Sequence, residues 1–506
     1  MKTMNSKLVR IVKGLLVLVA ATLLMACGKQ VEAQSIEKSD LSILYVGPDP
    51  SKPLSDRDRQ FSVDPDRSEK LQQKRAADFK SLLSQYFSNV EVVYSDNYKE
   101  NMSAKYDVTI FDALPPKLSG GRVVDPETGE ETYERRQYLS EEYNHATVMI
   151  AEPSAFIGEG RQLKIDHLCL CLDAHAHGMK LNHPIFHTPY KVDITYEERK
   201  TPGNYVARYG GRDLGETMPM WRMQTEGFDD GKGFPIGLVS TGYGFGNGID
   251  SEWISSGACQ KGVEATAIGR HANFFHWGFV AAPEYMTESA KLAFINAIHY
   301  IAPYKGARQV TRKIKGVQLK PYLREQEWTV SDRGSAQWLA YLEKGRQKSL
   351  KERKEMQAKK DAGEALTELE KMKLGFPEQK QETRAWTIRH EPETLKEKFG
   401  EDWSAYERYY AENLDYFYPV AGEWYKVAVD EDAKSLEIPN NDIKLLDTAV
   451  AMVAEGNRKD MAMGILTRYT NESFKTAKEW ENWLKANRDQ LYFSEGDGYK
   501  FVVVPK

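Results

Sequence analysis

Short apolar runs that alternate with helical spacing constrain this chain most strongly. Residues 68–87 place apolar side chains at near-helical intervals between two such runs. Strands that alternate with helices predict an α/β fold with a mostly parallel sheet and crossover helices. The apolar runs lie at 41–46, 90–94, 106–111 and 146–150.

The first 26 residues have the layout of an export signal. Four basic residues precede an apolar run at 14–26, which is too short to span a bilayer as a stable helix. The Leu24-Met25-Ala26-Cys27 segment resembles the cleavage box of bacterial lipoproteins, although Met25 is a less usual residue there. The resemblance implies a lipidated Cys27 and a flexible tether at 27–40. An uncleaved membrane anchor is the alternative.

Composition limits which cellular compartments and which kinds of binding partner fit this chain. No acidic run follows Cys27, which favours an outer-membrane protein that faces the periplasm. The chain has a net charge of −5 although its first 26 residues carry four basic residues and no acidic ones, so the remaining residues are acidic on balance. They therefore lack the excess of Lys and Arg that nucleic-acid binding needs. Hydrophobic residues make up 41% of the chain, enough for sizeable cores. Four cysteines in 506 residues exclude a disulfide-built scaffold.

Two later segments carry a family resemblance. Residues 182–186, Asn-His-Pro-Ile-Phe, resemble the "HPI" segment of ThuA-like domains, and residues 267–278 resemble the glycine-rich and Arg-containing strand pair of that family. ThuA-like domains belong to the class I glutamine-amidotransferase-like α/β superfamily. The resemblance implies a flavodoxin-like three-layer sandwich over residues 41–306, with the closing helix at 287–301, and a link to sugar utilisation.

Histidines and cysteines concentrate at 167–177. Either a strand or a helix over this stretch brings thiol, carboxylate and imidazole groups together. Such a set can bind a divalent metal such as zinc, with His183 and His187 as further ligands, or it can form a metal-free polar site. Buried structural cysteines and hydrogen-bonded histidines are the remaining alternative. On a strand, one face would carry His167, Cys169, Cys171, Asp173, His175 and His177.

A cysteine-nucleophile amidase is not favoured. That activity needs a thiol on a tight strand-to-helix elbow. Cys169 and Cys171 stand between leucines, whereas Cys259 lies between glycines but follows a loop rather than a clear strand. The odd number of cysteines after the signal allows one disulfide at most.

Two further segments are candidates for ligand binding. The glycine-rich residues 241–248 match neither the dinucleotide fingerprint nor the phosphate-binding loop, so they form either a flexible loop or a ligand-facing loop that ends in Asp250 and Glu252. Residues 270–276 place polar groups inside an apolar strand pair, where they need a protein or ligand partner. Strict alternation puts His271, Asn273 and Phe275 on one face and Arg270, Ala272, Phe274 and His276 on the other.

The remaining chain is predicted to be helical. Residues 307–385 form a charged helical connector, and residues 386–506 form a separate aromatic-rich helical domain that ends in a hairpin. Thr476 and Glu479 make a capping box. Paired helices near 440–490 weakly resemble HEAT units, although two copies are too few for a solenoid. This region is expected to pack or to bind a protein partner.

Two functions remain open from the sequence. The first is a membrane-tethered protein that binds a carbohydrate or derivative and can hydrolyse it by acid/base chemistry, with histidine as the proton carrier and Asp173 as its orienting partner. The second is a non-catalytic lipoprotein scaffold for a protein or glycan. The candidate catalytic residues are His175, His177, His183, Asp173 and His271. The candidate ligand-binding residues are Arg270, Asn273, His276, Tyr243 and Asp250.

Overall fold

The computed structural model describes residues 37–505 except 56–58, 60–61, 166–168, 243–244, 246–247, 378–383 and 385–390. The chain divides into a unit of residues 1–39 and a compact unit of residues 40–506. The predicted signal, the lipidation residue Cys27 and the candidate Tyr243 lie outside the described residues. In the described part of the chain, no helix is both long and apolar enough to cross a membrane.

Within residues 41–150, the predicted helix and four strands are present in the predicted order, together with two further strands at 119–124 and 131–137. The strands are β1 (Ser39–Gly47), β2 (Phe87–Tyr94), β3 (Val108–Phe111), β4 (Ser119–Val124), β5 (Glu131–Gln137), β6 (Thr147–Ile150), β7 (Cys169–Leu172), β8 (His175–His177), β9 (Tyr196–Lys200), β10 (Thr217–Arg222), β11 (Gly237–Val239), β12 (Ser251–Gly257), β13 (Thr266–His271), β14 (Phe274–Trp277), β15 (Phe417–Pro419), β16 (Val427–Val429), β17 (Leu491–Ser494) and β18 (Lys500–Val503). The helices are α1 (Pro65–Tyr86), α2 (Glu152–Arg161), α3 (Gly203–Val206), α4 (Glu288–Ile301), α5 (Lys320–Val330), α6 (Asp332–Asp361), α7 (Glu368–Gly375), α8 (Glu393–Phe399), α9 (Trp403–Asn413), α10 (Glu431–Ser435), α11 (Lys444–Glu455), α12 (Lys459–Tyr469) and α13 (Ala477–Asn487).

A ten-stranded sheet forms the centre, in the order β2-β1-β3-β6-β14-β13-β12-β8-β10-β9. Strands β1, β3, β6 and β14 pair in parallel, which confirms the α/β prediction for this half of the sheet. From β14 to β9 each pairing is antiparallel. The change of direction follows from the tight β13–β14 turn, because a hairpin reverses the chain without a crossover helix.

Helices cover both faces of the parallel half. Phe79 of α1 and Phe294 of α4 pack with Ile110 on one face, and Ile157 of α2 packs with Met149 on the other. Successive residues of the buried strands alternate between these two cores, as the two-residue period of a strand requires. The helix–sheet–helix layering therefore accounts for the continuous apolar runs.

The C-terminal region is helical, as predicted, and has its own core around Trp480. Its capping box is confirmed, since Thr476 Oγ1 accepts the amide of Glu479 at 3.3 Å and Glu479 Oε2 accepts the amide of Thr476 at 2.9 Å. The terminal hairpin is β17–β18. The region and the sheet both lie within the compact unit of residues 40–506. Helix α5 of the connector contacts both parts: Trp328 Nε1 donates to the carbonyl of Ala207 at 3.1 Å, and Lys320 Nζ donates to Asn440 Oδ1 at 2.8 Å.

Candidate functional site

Acidic and basic side chains meet around β8, β9 and β10. The chain ends β7 at Leu172, bends at 173–174 and enters β8 at His175, so the stretch is neither the single strand nor the single helix that the sequence left open. Because β8 pairs with β10, His175 lies opposite Arg222. Strand β9 pairs with the other side of β10 and brings in Glu197. We call Asp173, His175, Glu197, Arg222 and Asp229 the Asp173–His175 cluster.

His175 has an unusual environment in this cluster. Its side chain is only 3% exposed, and its Nε2 atom has no hydrogen-bond partner among the residues that the structure describes. The nearest carboxylate oxygen, Glu197 Oε1, lies 3.5 Å away. Burial, followed by the positive charges of Arg222 and Arg199, lowers the pKa of His175 to about 4. The imidazole is therefore neutral at pH 7 and can pair with a hydroxyl group.

An ion pair borders His175 on the solvent side. Arg222 donates from Nε to Glu197 Oε1 at 2.7 Å and from Nη2 to Oε2 at 3.3 Å. The two side chains are 35% and 37% exposed, so an external molecule can reach them. The hydrogen bond from Arg222 lowers the pKa of Glu197, which keeps this carboxylate ionised. The pair thus offers both a donor and an acceptor next to the buried imidazole.

Asp173 supplies a carboxyl group whose pKa is shifted upwards, opposite to the shift of Glu197. Burial, and then the negative charge of Asp229, raises the pKa of Asp173. The amide of Asp229 donates to Asp173 Oδ1 at 3.5 Å. Gly227 leaves room for this group, because a Cβ atom at position 227 would lie 1.9 Å from Oδ1. Carboxyl groups whose environments push their pKa values apart are typical of acid/base sites, and Asp173 and Glu197 form such a set.

His177 lies on the same strand but has a different partner. Its Nε2 atom is 3.0 Å from the hydroxyl of Tyr205, and burial lowers its pKa to about 4. The Tyr205 hydroxyl donates in turn to the carbonyl of Gly257 at 2.9 Å. His177 therefore belongs to a buried hydrogen-bond network with Tyr205 and Gly257.

The structure brings His183 and Arg270 together at the carboxylate of Glu252, which was not among the candidate site residues. Glu252 lies 3.1 Å from His183 Nε2, accepts from the Tyr300 hydroxyl at 2.6 Å, and pairs with Arg270 through its other oxygen. Although burial opposes ionisation, the hydrogen bonds from His183, Tyr300 and Arg270 lower the pKa of Glu252 to about 2. These donors fill the acceptor positions of the carboxylate. The geometry is that of a saturated structural network.

This network is far from the Asp173–His175 cluster. His177 pairs with Ser256 of β12, and Arg270 pairs with Glu252 four residues earlier on that strand. Four residues of strand span about 13 Å. His175 and His183 thus lie at two separate places.

Asp250 and His271 form a third group. His271 Nδ1 accepts the amide of Lys164 at 2.9 Å, and its Nε2 lies 3.3 Å from Asp250 Oδ2. Asp250 also accepts the amides of Val310 and Thr311, at 2.6 and 3.1 Å. Despite the opposing effect of burial, these interactions hold the pKa of Asp250 well below its usual range. The group joins the sheet to the segment that follows α4.

The strict alternation predicted through residues 270–276 is wrong. Ala272 adopts a φ of 48° at the β13–β14 turn, so that Arg270 pairs with Phe275 and His271 pairs with Phe274. Cross-strand partners share a face, so His271 lies with Phe274 rather than with Phe275.

The last two candidates, Asn273 and His276, have protein partners in the interior. Asn273 Nδ2 donates to the carbonyl of His145 at 2.7 Å, and His276 Nδ1 lies 2.8 Å from Ser154 Oγ. Burial lowers the pKa of His276 to about 3.

The strand-to-helix elbow of the parallel half carries no thiol. Ala151 joins β6 to α2 with φ 50° and ψ −118°, a strained conformation for a residue with a side chain. Cys259 follows strand β12, not a loop as predicted, but no helix begins after it. Within the described ranges, no group of three or more His, Cys, Asp or Glu side chains is placed to hold a metal ion. His167, from the predicted set, lies outside those ranges.

Sequence reasoning missed Glu197, Arg222 and Asp229. The stretch around Glu197 is continuously polar and resembles an ordinary exposed edge strand. Arg222 follows Trp221, which is buried in the core. The sequence feature that could have pointed to the cluster is Gly227 followed by Asp229 and Asp230, which form a turn that packs against Asp173.

No family model, curated protein or solved structure matches this chain. The functional proposal for this chain therefore rests on the geometry of its own residues.

Proposed function

We propose that the Asp173–His175 cluster binds a small hydroxyl-rich ligand, a carbohydrate or derivative. The observation that carries this proposal is the buried Nε2 atom of His175 without a partner among the described residues, next to an ion pair that solvent reaches. Buried polar atoms are nearly always hydrogen-bonded to protein or to ordered water, so an unpaired atom beside an exposed ion pair is a place where a ligand hydroxyl or a water molecule can bind. Hydroxyl groups both donate and accept, which suits an imidazole between Glu197 and Arg222.

The chemistry assigned to the cluster differs from the sequence hypothesis in one respect. A pKa of about 4 makes His175 a weak proton carrier at neutral pH. We therefore assign ligand binding to His175 and proton transfer to Asp173, whose pKa is raised. In a hydrolytic step, Asp173 would donate its proton to the leaving oxygen; the attacking water would add its hydroxyl to the other fragment and return its remaining proton to the Asp173 carboxylate.

The fold proposed for the α/β part is flavodoxin-like. The order β2-β1-β3-β6-β14 corresponds to the doubly wound order 2-1-3-4-5, and helices cover both faces. Membership of the ThuA-like group remains a proposal. It is supported by the meeting of its two motifs at Glu252, which contacts both His183 and Arg270.

The cellular setting is proposed from the sequence alone. A chain lipidated at Cys27 would be tethered to the outer membrane and face the periplasm. In a bacterial host, the parent chain is expected in the membrane fraction after lysis, and Cys27→Ser is expected in the soluble fraction or as an uncleaved precursor. Identical fractionation and mass of the two chains would refute lipidation.

The alternative is a non-catalytic scaffold that binds a protein or glycan. Its supporting observation is the exposed pair Trp424 and Tyr425 at the turn between β15 and β16, with 64% and 57% of their surfaces in solvent. Large exposed aromatic side chains are enriched at binding surfaces.

A ligand screen separates the two functions. Thermal shift is measured with glucose, N-acetylglucosamine and glucuronate on the parent chain, on His175→Ala and on Asp173→Asn. The exposed His187 provides the matched control His187→Ala. We expect stabilisation by one of these sugars in the parent and the control, and its loss in His175→Ala. Lower melting temperatures in both cluster variants without a sugar effect in any chain would favour the scaffold.

A further inference from the structure

Three cysteines that are distant in sequence meet in the interior. Cys169 and Cys171 are alternate residues of β7, so their side chains leave the same face of that strand. Cys259 follows β12 and is 88 positions from Cys171. The amide of Asp173 donates to the carbonyl of Ala258 at 2.8 Å and holds the two segments together. All three residues are thiols in this structure.

Cys171 is the central member of this group. The adjacent thiols of Cys169 and Cys259, together with burial, raise its pKa. The thiol of Cys171 in turn lowers the pKa of Cys259. The Tyr205 hydroxyl lies 3.6 Å from Cys259 Sγ, and the amide of Cys259 donates to it at 3.2 Å. The neighbouring thiols thus favour the protonated form of Cys171, whereas the Cys171 thiol, the backbone of Lys261 and the Tyr205 hydroxyl favour the thiolate form of Cys259.

Access to the three sulfur atoms is graded. Cys171 and Cys259 are each 5% exposed, whereas Cys169 is half-buried. A dissolved reagent therefore reaches Cys169 first. Because Cys171 contacts both of the other thiols, the sulfur atoms form a continuous path from the surface to Cys259.

We infer that Cys171 and Cys259 form a reversible disulfide by thiol–disulfide exchange, with Cys169 as the entry thiol. This goes beyond the proposed ligand binding and does not depend on it. The oxidant is a low-molecular-weight disulfide of the glutathione type. The export predicted from the first 26 residues would place the chain where such bonds persist.

The exchange proceeds in three displacements. The Cys169 thiolate attacks the external disulfide, forms a mixed disulfide and releases one small thiol. Cys171 then attacks the Cys169 sulfur and releases the second small thiol. Finally Cys259 attacks the Cys171 sulfur, which leaves a Cys171–Cys259 bond and returns Cys169 to a thiol. Two protein thiols lose two protons and two electrons, and the external disulfide becomes two thiols.

The test uses the full chain with Cys27→Ser in detergent, so that three thiols remain. The protein is incubated with oxidised glutathione, alkylated, and digested with trypsin without reduction. Cleavage after Lys164, Lys180, Lys232 and Lys261 would leave residues 165–180 linked to residues 233–261. We expect this linked pair from the Cys27→Ser chain, and its disappearance on reduction.

Single serine substitutions identify the bond. Cys171→Ser and Cys259→Ser should give no linked pair. Cys169→Ser should keep it but form it about tenfold more slowly, since the remaining thiols are buried. A linked pair that survives Cys171→Ser would overturn the assignment. A second result would also overturn the assignment: oxidised protein in which Cys169 carries glutathione and no linked pair forms. This result can be read from the Cys27→Ser chain without further substitutions.

Discussion

The neutral state of His175 can be tested through the pH dependence of stability. Its pKa is about 4 in the folded chain, against 6.5 for an ordinary histidine. Between these values the unfolded chain binds the proton and the folded chain does not, so stability falls as the pH drops below 6.5. From pH 7 to pH 5 this one group removes about 2 kcal/mol of unfolding free energy.

The assay compares urea unfolding at pH 7 and pH 5 for the parent, His175→Gln and His187→Gln. Other titrating groups contribute equally to all three chains and cancel in the comparison. We expect His175→Gln to lose about 2 kcal/mol less than the parent over this interval. His187→Gln, which alters an exposed histidine, should lose as much as the parent. Equal losses in the parent and His175→Gln would refute the neutral, buried imidazole.

Three further substitutions test the site and the fold. Gly227→Ala should abolish sugar stabilisation by displacing Asp173, at a cost of about 1–3 kcal/mol in urea unfolding; unchanged binding would show that Asp173 is dispensable. Thr476→Ala should lower the unfolding free energy by about 1 kcal/mol through loss of the cap, and a neutral result would remove that assignment. Phe79→Ala should cost about 3–5 kcal/mol, because the ring is buried between Tyr45 and Phe294. A loss below about 1 kcal/mol would contradict this packing.

The parallel half of the sheet could be predicted because its strands are buried on both faces. Residues 43–46 are a continuous apolar run, and residues 108–111 are interrupted only by the buried Thr109; such runs identify strands without knowledge of their neighbours. The closing helix was predictable for a similar reason, since its apolar spacing follows Thr287, which caps α4 by accepting the amide of Ala290.

The site could not be predicted in the same way, because backbone turns decide which side chains meet. The bend at Asp173 separates β7 from β8, and the turn at Ala272 moves His271 to the face of Phe274. Neither turn contains the glycine or proline that usually marks one. Arg222 joins the cluster through the pairing of β10 with β8, and Glu197 joins it through the pairing of β9 with β10; local periodicity reveals neither contact.

The most direct measurement follows the imidazole nitrogen NMR signals of His175 during a sugar titration of the full chain. The proposed function predicts that the Nε2 signal of His175 shifts in a saturable manner with at least one of glucose, N-acetylglucosamine or glucuronate. The signals of His187 should remain unchanged, and Asp173→Asn should weaken the response. An unaltered His175 signal with every sugar, in a chain that stays folded, would contradict a ligand site at the Asp173–His175 cluster.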